Sequence, residues 1–381
     1  MKTNYLKNIL GPITVVMLAG VVGIASLTPI NAADLGALPE EKKAQNYPYI
    51  EGELTVEFQV DSNFDSDDPD SEITDSFNTT ELGLTAHIHQ NFKVISTLVF
   101  EPVKDPEAGD DRFFEDHGLY AEELYGKFVF DNVSVFGGKF NPAFGVAWDA
   151  APGIYGADFA EDYELTERVG FGASLEVEKT PFGKMEFVGS VYQADRSFLS
   201  DSAFTNRGQV SLSDGGVSNT DGLESFALAI NGSELPGLAD VEYNIGYRYQ
   251  EAGEGDLSDE DGFVAGLKGT EKFKSVTLEW LTEFAYLDNA EGTNDELYYY
   301  TVGGNLQFYD KYNLAISYTS RQREIDGGDD FEDDLFQVSA GTEVYKDWNL
   351  SVGYKYAVEE DVENNTFGVL LDKTFEFSTA K

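Results

Sequence analysis

Apolar and polar residues alternate along most of the chain after residue 50, in segments of about ten residues. In residues 52–62 the apolar positions are Leu54, Val56, Phe58 and Val60, and the polar positions are Glu53, Thr55, Glu57 and Gln59. Residues 241–250 and 349–358 show the same alternation. A period of two belongs to a β-strand, because a helix repeats every 3.6 residues. Each segment therefore predicts a strand with one apolar and one polar face.

The alternation predicts about sixteen strands in all. They lie near residues 52–61, 80–90, 92–100, 117–130, 133–140, 168–179, 184–195, 224–231, 241–250, 262–269, 275–287, 296–309, 313–323, 335–344, 349–358 and 366–377.

The connections between these strands alternate strictly between long and short. The long ones fall at 61–79, 101–116, 141–167, 196–223, 251–261, 288–295, 325–334 and 359–365. All long loops thus share one rim, as in outer-membrane barrels with long extracellular loops and short periplasmic turns. We predict an all-β fold, a transmembrane antiparallel up-and-down β-barrel of about 16 strands in the bacterial outer membrane.

Aromatic residues cluster beside the predicted turns. Phe128 and Phe130 precede the turn at residues 131–132, and Tyr345 and Trp348 flank Lys346. Such clustering indicates the aromatic girdle of a membrane barrel. The chain also holds 28 Phe and 21 Tyr, too many for a solvated acidic tail.

The first residues have the pattern of a secretory signal. Lys2 and Lys7 precede an apolar stretch over residues 13–27, and small residues follow at Ala32 and Ala33. The stretch is shorter than the ~20 apolar residues of a membrane-spanning helix. We predict a signal peptide over 1–32, a short periplasmic leader over 33–49 and the barrel over 50–381.

The charge of the chain restricts its partners. With 25 Lys and Arg against 70 Asp and Glu, the net charge is −45, which excludes nucleic acid as a partner. Acidic residues crowd residues 65–75 and 326–334. We therefore expect the loops to meet outer-membrane lipid and lipopolysaccharide through divalent cations, without a discrete metal site. The chain has no cysteine, and no cofactor is predicted.

One short segment resembles a known family. Residues 137–145, Gly-Gly-Lys-Phe-Asn-Pro-Ala-Phe-Gly, resemble the Gly-Arg/Lys-Phe…Pro-Phe-Gly segment that ends a strand in porins similar to the phosphate-selective porins. In that family the third loop folds inward and narrows the channel. The resemblance implies a constriction near the carboxylates of residues 141–167, which are Asp149, Asp158, Glu161, Asp162, Glu164 and Glu167.

The polar face predicts a water-filled lumen with mixed charge. Its basic residues are Lys139, Arg168, Arg248, Arg321 and Arg323, with Lys127 and Lys355 beside them. Its acidic residues are Glu53, Glu57, Glu176, Glu178, Glu242, Glu279, Glu283 and Glu343. The family's anion-selective members present a ladder of basic side chains, whereas a ring of carboxylates favours cations. We therefore expect a cation preference, with an anion-selective channel as the alternative.

Candidate chemistry is sparse. His87 and His89 project to one side of a strand but have no third ligand nearby. His117 beside Asp116 is a candidate base, with a solvated rim residue as the alternative. No nucleophile elbow, zinc-protease or phosphate-loop motif is present, so no enzyme is predicted. The sequence predicts a porin for passive diffusion of small hydrophilic solutes and ions. The alternatives are a substrate-selective phosphate or anion porin and a surface-binding or adhesion barrel. Association into trimers, common among general porins, stays open.

Overall fold

The computed structural model describes residues 46–238, 240–309 and 311–380. The predicted signal peptide over 1–32 and most of the predicted leader over 33–49 lie outside these residues. Among the described residues, no helix is long and apolar enough to cross a membrane.

Sixteen strands form the wall of one closed antiparallel barrel. In chain order they are β1 (Tyr49–Ser66), β2 (Thr74–His89), β3 (Phe92–Pro102), β4 (His117–Phe130), β5 (Val133–Phe140), β6 (Arg168–Thr180), β7 (Gly183–Ala194), β8 (Ser225–Ser233), β9 (Val241–Gln250), β10 (Glu260–Phe273), β11 (Val276–Asp288), β12 (Glu296–Phe308), β13 (Tyr312–Glu324), β14 (Phe331–Tyr345), β15 (Trp348–Glu359) and β16 (Val362–Ser378). Two further strands of two residues, Arg112–Phe113 and Ala203–Phe204, lie in loops.

Each strand pairs with its neighbour in the chain, and the last strand returns to the first. Leu54 of β1 lies opposite Phe375 of β16, and on its other side opposite Leu82 of β2. Within the described residues the sheet therefore closes on itself, which is what a barrel requires in a membrane. The predicted fold, an up-and-down barrel of about 16 strands, is confirmed.

The two faces of the wall separate as the alternation predicts. In β1 the side chains of Thr55, Glu57 and Gln59 are buried, while Phe58 and Val60 are 40% and 42% exposed. A closed barrel buries the inner face and exposes the outer one, so the polar set points inward and the apolar set outward. The outer face carries the apolar surface that a lipid environment needs.

The predicted girdle residues lie on the outer face near the turns. Phe128 and Phe130 are 44% and 54% exposed, and their rings stack with centroids 6.2 Å apart. Tyr345 is also exposed, beside the short turn that precedes Trp348.

The prediction of a last long loop at residues 359–365 is wrong. β15 and β16 are joined by a two-residue turn at Glu360 and Asp361, which have φ of 50° and 64°. Two successive positive φ values are typical of the tight turns that fit twisted hairpins. Asn364 and Asn365 pair with residues of β15 instead of forming a loop. Polar residues mark loops in the sequence, yet at the rim of a barrel they also extend strands.

Candidate functional site

The third loop, residues 141–167, lies inside the barrel. It begins after Phe140, where the short strand β5 ends. Its residues Phe144, Ala147 and Tyr163 are at most 1% exposed and share one apolar cluster with inward-facing Val264 of β10 and Leu281 of β11. Burial of apolar surface stabilises this inward position, because the same residues would meet water if the loop extended outward.

A carboxylate of the wall holds both legs of the loop. Glu283 of β11 accepts hydrogen bonds from the backbone N–H groups of Val146 and Ala147 at 2.8 and 2.9 Å, and from the hydroxyl of Tyr163 at 2.8 Å. Gly145 precedes these groups with φ of +74°, and a Cβ there would lie 3.0 Å from a Glu283 oxygen. Glycine allows both the backbone turn and the close approach. The Pro-Ala-Phe-Gly run of the sequence thus places the first leg of the loop.

The far end of the loop reaches the strands that close the barrel. Gln337 of β14 donates a hydrogen bond to the carbonyl oxygen of Pro152 at 2.7 Å. The hydroxyl of Tyr155 donates to Asp61 of β1 at 2.6 Å. Lys355 of β15 forms an ion pair with Asp158 at 2.7 Å. The loop therefore crosses the interior from β5 to the opposite wall.

The returning leg is held by two arginines of the wall. Arg321 of β13 contacts Asp162 with an N–O distance of 2.7 Å, and the hydroxyl of Tyr299 donates to the same carboxylate at 3.1 Å. Arg248 of β9 donates to the carbonyl oxygen of Tyr163 at 2.7 Å. Charge-assisted hydrogen bonds of this kind are stronger than neutral ones.

The base of the loop is closed by a group that the sequence analysis missed. Glu167 accepts hydrogen bonds from Lys139 at 2.6 Å and from Arg207 at 2.8 Å. Arg207 belongs to the fourth loop, residues 195–224, which joins β7 to β8. The Arg207 guanidinium also lies over the ring of Tyr120, 3.9 Å from its centroid. Arg207 lies in a connection without periodicity, so no sequence signal singled it out.

The fourth loop also completes the wall where the third loop leaves it. Residues 203–204 pair with Gly118 and Leu119 of β4, beyond the part of β4 that pairs with β5. An unpaired strand edge within a barrel is costly because its backbone groups lack partners. The fourth loop supplies those partners beside the entry of the third.

Five of the six predicted loop carboxylates fall into two groups, and the sixth, Asp149, lies in a one-turn helix at Ala147–Ala150. Asp158, Asp162 and Glu167 form ion pairs with lysine or arginine. Glu161 and Glu164 have no ion pair or hydrogen bond through their carboxylates within the described part of the chain. Their electrostatic neighbours are mainly other acids, which are Asp149, Asp158 and Asp162 of the loop and Glu101, Glu122 and Glu123 of β3 and β4. This side of the loop therefore faces a wall that is also acidic.

This crowding affects the protonation of the two glutamates. Their enclosed position raises the pKa of Glu161 well above its usual range, and the charges of Asp158 and Glu164 raise it further. Burial likewise raises the pKa of Glu164, with further contributions from Glu122 and Asp149. Burial and like charges both disfavour the ionised form of a carboxyl group.

The five predicted basic residues are spread around the wall. Lys139 pairs with Glu167 and also with Asp195, at 2.6 and 2.9 Å. Arg248 pairs with Glu260 at 2.8 Å.

Arg321 and Arg323, two residues apart on β13, share Asp333 at 2.9 and 2.8 Å. Arg168 has no ion pair with any described residue. Most of the positive charge of the lumen is thus neutralised at the wall or beneath the loop.

The histidines have ordinary partners. His87 lies 3.0 Å from Glu51 and stacks on Tyr49 with centroids 4.3 Å apart. The Nε2 atom of His117 lies within 3.2 Å of the backbone N and O atoms of Asn78. Within residues 46–238, 240–309 and 311–380, no cluster of three or more His, Cys, Asp or Glu side chains fits a metal ion.

Solved structures resemble this barrel over most of its length. OprB of Pseudomonas putida matches with a TM-score of 0.60 and 12% identity, covering 86% of this chain and 94% of that one. OmpF of Salmonella typhi matches with a TM-score of 0.59 and 12% identity, covering 87% and 100%. The outer membrane channel DcaP of Acinetobacter baumannii matches with a TM-score of 0.51 and 10% identity, covering 87% and 97%.

No family model matches the sequence, and no curated protein matches it. At these identities the likeness to solved structures shows the fold, which is that of 16-stranded outer-membrane porins. The broader part of the resemblance at residues 137–145, a porin barrel, is therefore confirmed.

Proposed function

We propose that the protein is an outer-membrane porin, a water-filled channel for passive diffusion of small hydrophilic solutes and ions. The observation that carries this proposal is a closed 16-stranded barrel whose inner face is polar and whose outer face is apolar. A barrel of this size is too wide for wall side chains alone to fill it, so its interior holds water. The channel needs no catalytic group.

The third loop is proposed as the constriction of this channel. Its contacts with Glu283, Gln337 and Arg321 press it against β11, β14 and β13. The open part of the cross-section is then left between the loop and the wall of β2 to β4, and solutes pass there.

The same geometry supports a preference for cations. The loop's wall side binds lysine and arginine, whereas Glu161 and Glu164 face the acidic residues of β3 and β4. Fixed negative charge at a narrow point raises the local cation concentration and repels anions. We therefore propose a cation-preferring porin.

Conductance in a planar bilayer tests the channel itself. The purified, folded protein is expected to insert as discrete conductance steps, and liposomes that contain it should swell in small neutral sugars but not in large ones. The same sample after heat denaturation is the control. A folded protein that gives neither conductance nor swelling would contradict the proposal.

A substrate-selective anion porin, of the phosphate type, is the second candidate. The resemblance at residues 137–145 and the unpaired guanidinium of Arg168 favour it. Reversal potentials in a salt gradient separate the two candidates, because an anion channel gives the opposite sign.

We also propose partners in the membrane. The acidic loops suit divalent-cation bridges to lipopolysaccharide, and the solved OmpT of Vibrio cholerae, described as a trimer, has a similar fold with a TM-score of 0.50. We propose a homotrimer for this chain on that likeness. Chemical cross-linking in detergent is expected to give a band of three chains, and a monomer at all protein concentrations would contradict it.

A further inference from the structure

Arg168 is the one arginine of the described residues that has no ion pair. The other six arginines each contact a carboxylate, and they are Arg112, Arg196, Arg207, Arg248, Arg321 and Arg323. An uncompensated charge in a protein interior is costly, because the group loses water without gaining a partner. In a chain with a net charge of −45, carboxylates are abundant, and yet no carboxylate in the described part of the chain pairs with this guanidinium.

The side chain of Arg168 points into the barrel. On β6 it shares its face with Ser174 and Glu176, which are buried at 7% and 8% exposure, whereas Phe171 and Leu175 on the other face are exposed. Arg168 is the first residue of β6, immediately after the third loop. It therefore lies at the loop-bearing end of the lumen, where solutes enter from the side of the long loops.

Tyr192 of β7 is an electrostatic neighbour of the guanidinium. Tyr192 lies opposite Gly170, two residues from Arg168, so the two side chains are diagonal neighbours and interact electrostatically. Tyr192 is fully buried, and both its hydroxyl and the Nε of Arg168 are enclosed without a hydrogen-bond partner among the residues that the structure describes. The Nη1 and Nη2 atoms of Arg168 are not enclosed. The paired N–H groups at the end of the side chain thus remain on the water side.

The main charged neighbours of Arg168 are Arg248, Glu260 and Glu167, and each of them has another ion-pair partner. Arg248 is neutralised by Glu260 at 2.8 Å. Glu167 pairs with Lys139 and Arg207 at the base of the third loop. A single negative charge is therefore enough to pair with Arg168, whereas the second charge of a dianion would meet the nearby Glu260 and Glu167 without compensation.

We propose that Arg168 binds the carboxylate of a monoanionic organic solute at the loop-bearing end of the lumen. A guanidinium donates two parallel hydrogen bonds to the two oxygens of a carboxylate, and this planar match makes arginine the preferred partner. The site rests on the proposed porin function and gives the channel an affinity for one class of solute. Glu161 and Glu164, which repel free anions, are not among the main electrostatic neighbours of Arg168.

Block of the single-channel potassium current by benzoate tests this site. Benzoate carries one carboxylate on an apolar ring, and benzyl alcohol is its neutral counterpart. Wild-type channels are expected to show brief interruptions with benzoate and none with benzyl alcohol. Arg168→Gln is expected to weaken block by at least about tenfold, because a hydrogen-bonded charge pair is lost. Arg168→Lys keeps the charge but loses the planar pair of N–H donors, so its benzoate block should be intermediate between those of wild type and Arg168→Gln.

Lys268→Gln is the matched control. Lys268 also faces the lumen and pairs with Glu242 at 3.2 Å, so its removal changes the net charge equally. Benzoate block of this variant should equal that of wild type. Tyr192→Phe keeps the ring but removes a hydroxyl that interacts electrostatically with Arg168, and we expect block to weaken by about threefold. This variant provides the test if Arg168→Gln fails to fold.

The outcomes separate the two proposals. A folded protein without any conductance overturns the porin function. A conducting wild type that benzoate does not block, or equal block in wild type and Arg168→Gln, overturns the carboxylate site alone. Stronger block by inorganic phosphate than by benzoate overturns the choice of a monocarboxylate.

Discussion

Removing the two unpaired glutamates of the third loop should abolish most of the cation preference. We consider Glu161→Gln combined with Glu164→Gln, which keeps the size and the polarity of both side chains. Neither carboxylate has an ion pair or a hydrogen bond within the described residues, so the substitution breaks no anchor of the loop. The barrel and the position of the loop should therefore be preserved, and the change in the channel is electrostatic.

The expected magnitude follows from Coulomb's law. A carboxylate about 6 Å from a passing monovalent cation contributes about 0.7 kcal/mol in water. That energy concentrates the cation about threefold, so two carboxylates contribute about tenfold before screening. The screening length is about 10 Å at 0.1 M salt and about 3 Å at 1 M. The loss should therefore be large in dilute salt and small in concentrated salt.

Reversal potentials across a potassium chloride gradient measure this loss. The recordings are best made at pH 9, because the raised pKa of Glu161 and Glu164 leaves more of the ionised form at alkaline pH. The control variant Asp110→Asn with Asp329→Asn removes the same charge from exposed loop positions. An equal loss of selectivity in both variants would show that the whole rim sets the preference. An unchanged ratio in the glutamine variant would refute a role for the third loop.

Three further predictions follow from other parts of the structure. The cation preference of the wild type should fall as the pH is lowered from 9 to 5, because carboxyl groups with a raised pKa bind protons first; a constant reversal potential over this range would contradict the assignment. Glu283→Ala removes three hydrogen bonds from the third loop, and hydrogen bonds to a charged group contribute about 1.5–3 kcal/mol each. Because the loop is then held less firmly, we expect a noisier channel current and the passage of larger sugars in liposome swelling. Val302→Arg, on the exposed outer face near the middle of β12, should destabilise folding into vesicles by about 2–4 kcal/mol, whereas Glu81→Arg on the inner face should not; equal urea stability of both would show that the faces are misassigned.

The sequence predicts the wall of the barrel well, because the wall depends on a local period. Three strands, over residues 117–130, 133–140 and 241–250, have the predicted bounds. Some strands extend further toward the long loops than predicted. One example is β1, which continues through Asn63 to Ser66. Pairing with a neighbouring strand satisfies the backbone of these polar residues, and local composition does not reveal such pairing.

The interior of the barrel is harder to predict, since its contacts join residues far apart in the chain. The segment at 137–145 indicated a third loop, and the resemblance implied that it folds inward. The partners that hold it came only from the structure, such as Arg321 for Asp162 and Lys355 for Asp158. Arg207 had no periodicity or motif around it, although it closes the base of the loop.

The ion pairs inside the barrel hold the third loop in place and also determine which charges stay free for the proposed ion selectivity. In sequence, the acidic and basic residues of the inner face are mixed, and their numbers alone do not decide which ion the channel prefers. Arg321 and Lys355 hold the loop against the wall by binding Asp162 and Asp158, and each ion pair neutralises both of its partners. The charges that remain toward the open side are therefore mainly those without a role in holding the loop. The ion pairs that hold the loop neutralise mostly cations of the wall, so the water-facing side is left acidic. Arg168, beside the end of the loop, is the arginine that these ion pairs do not neutralise.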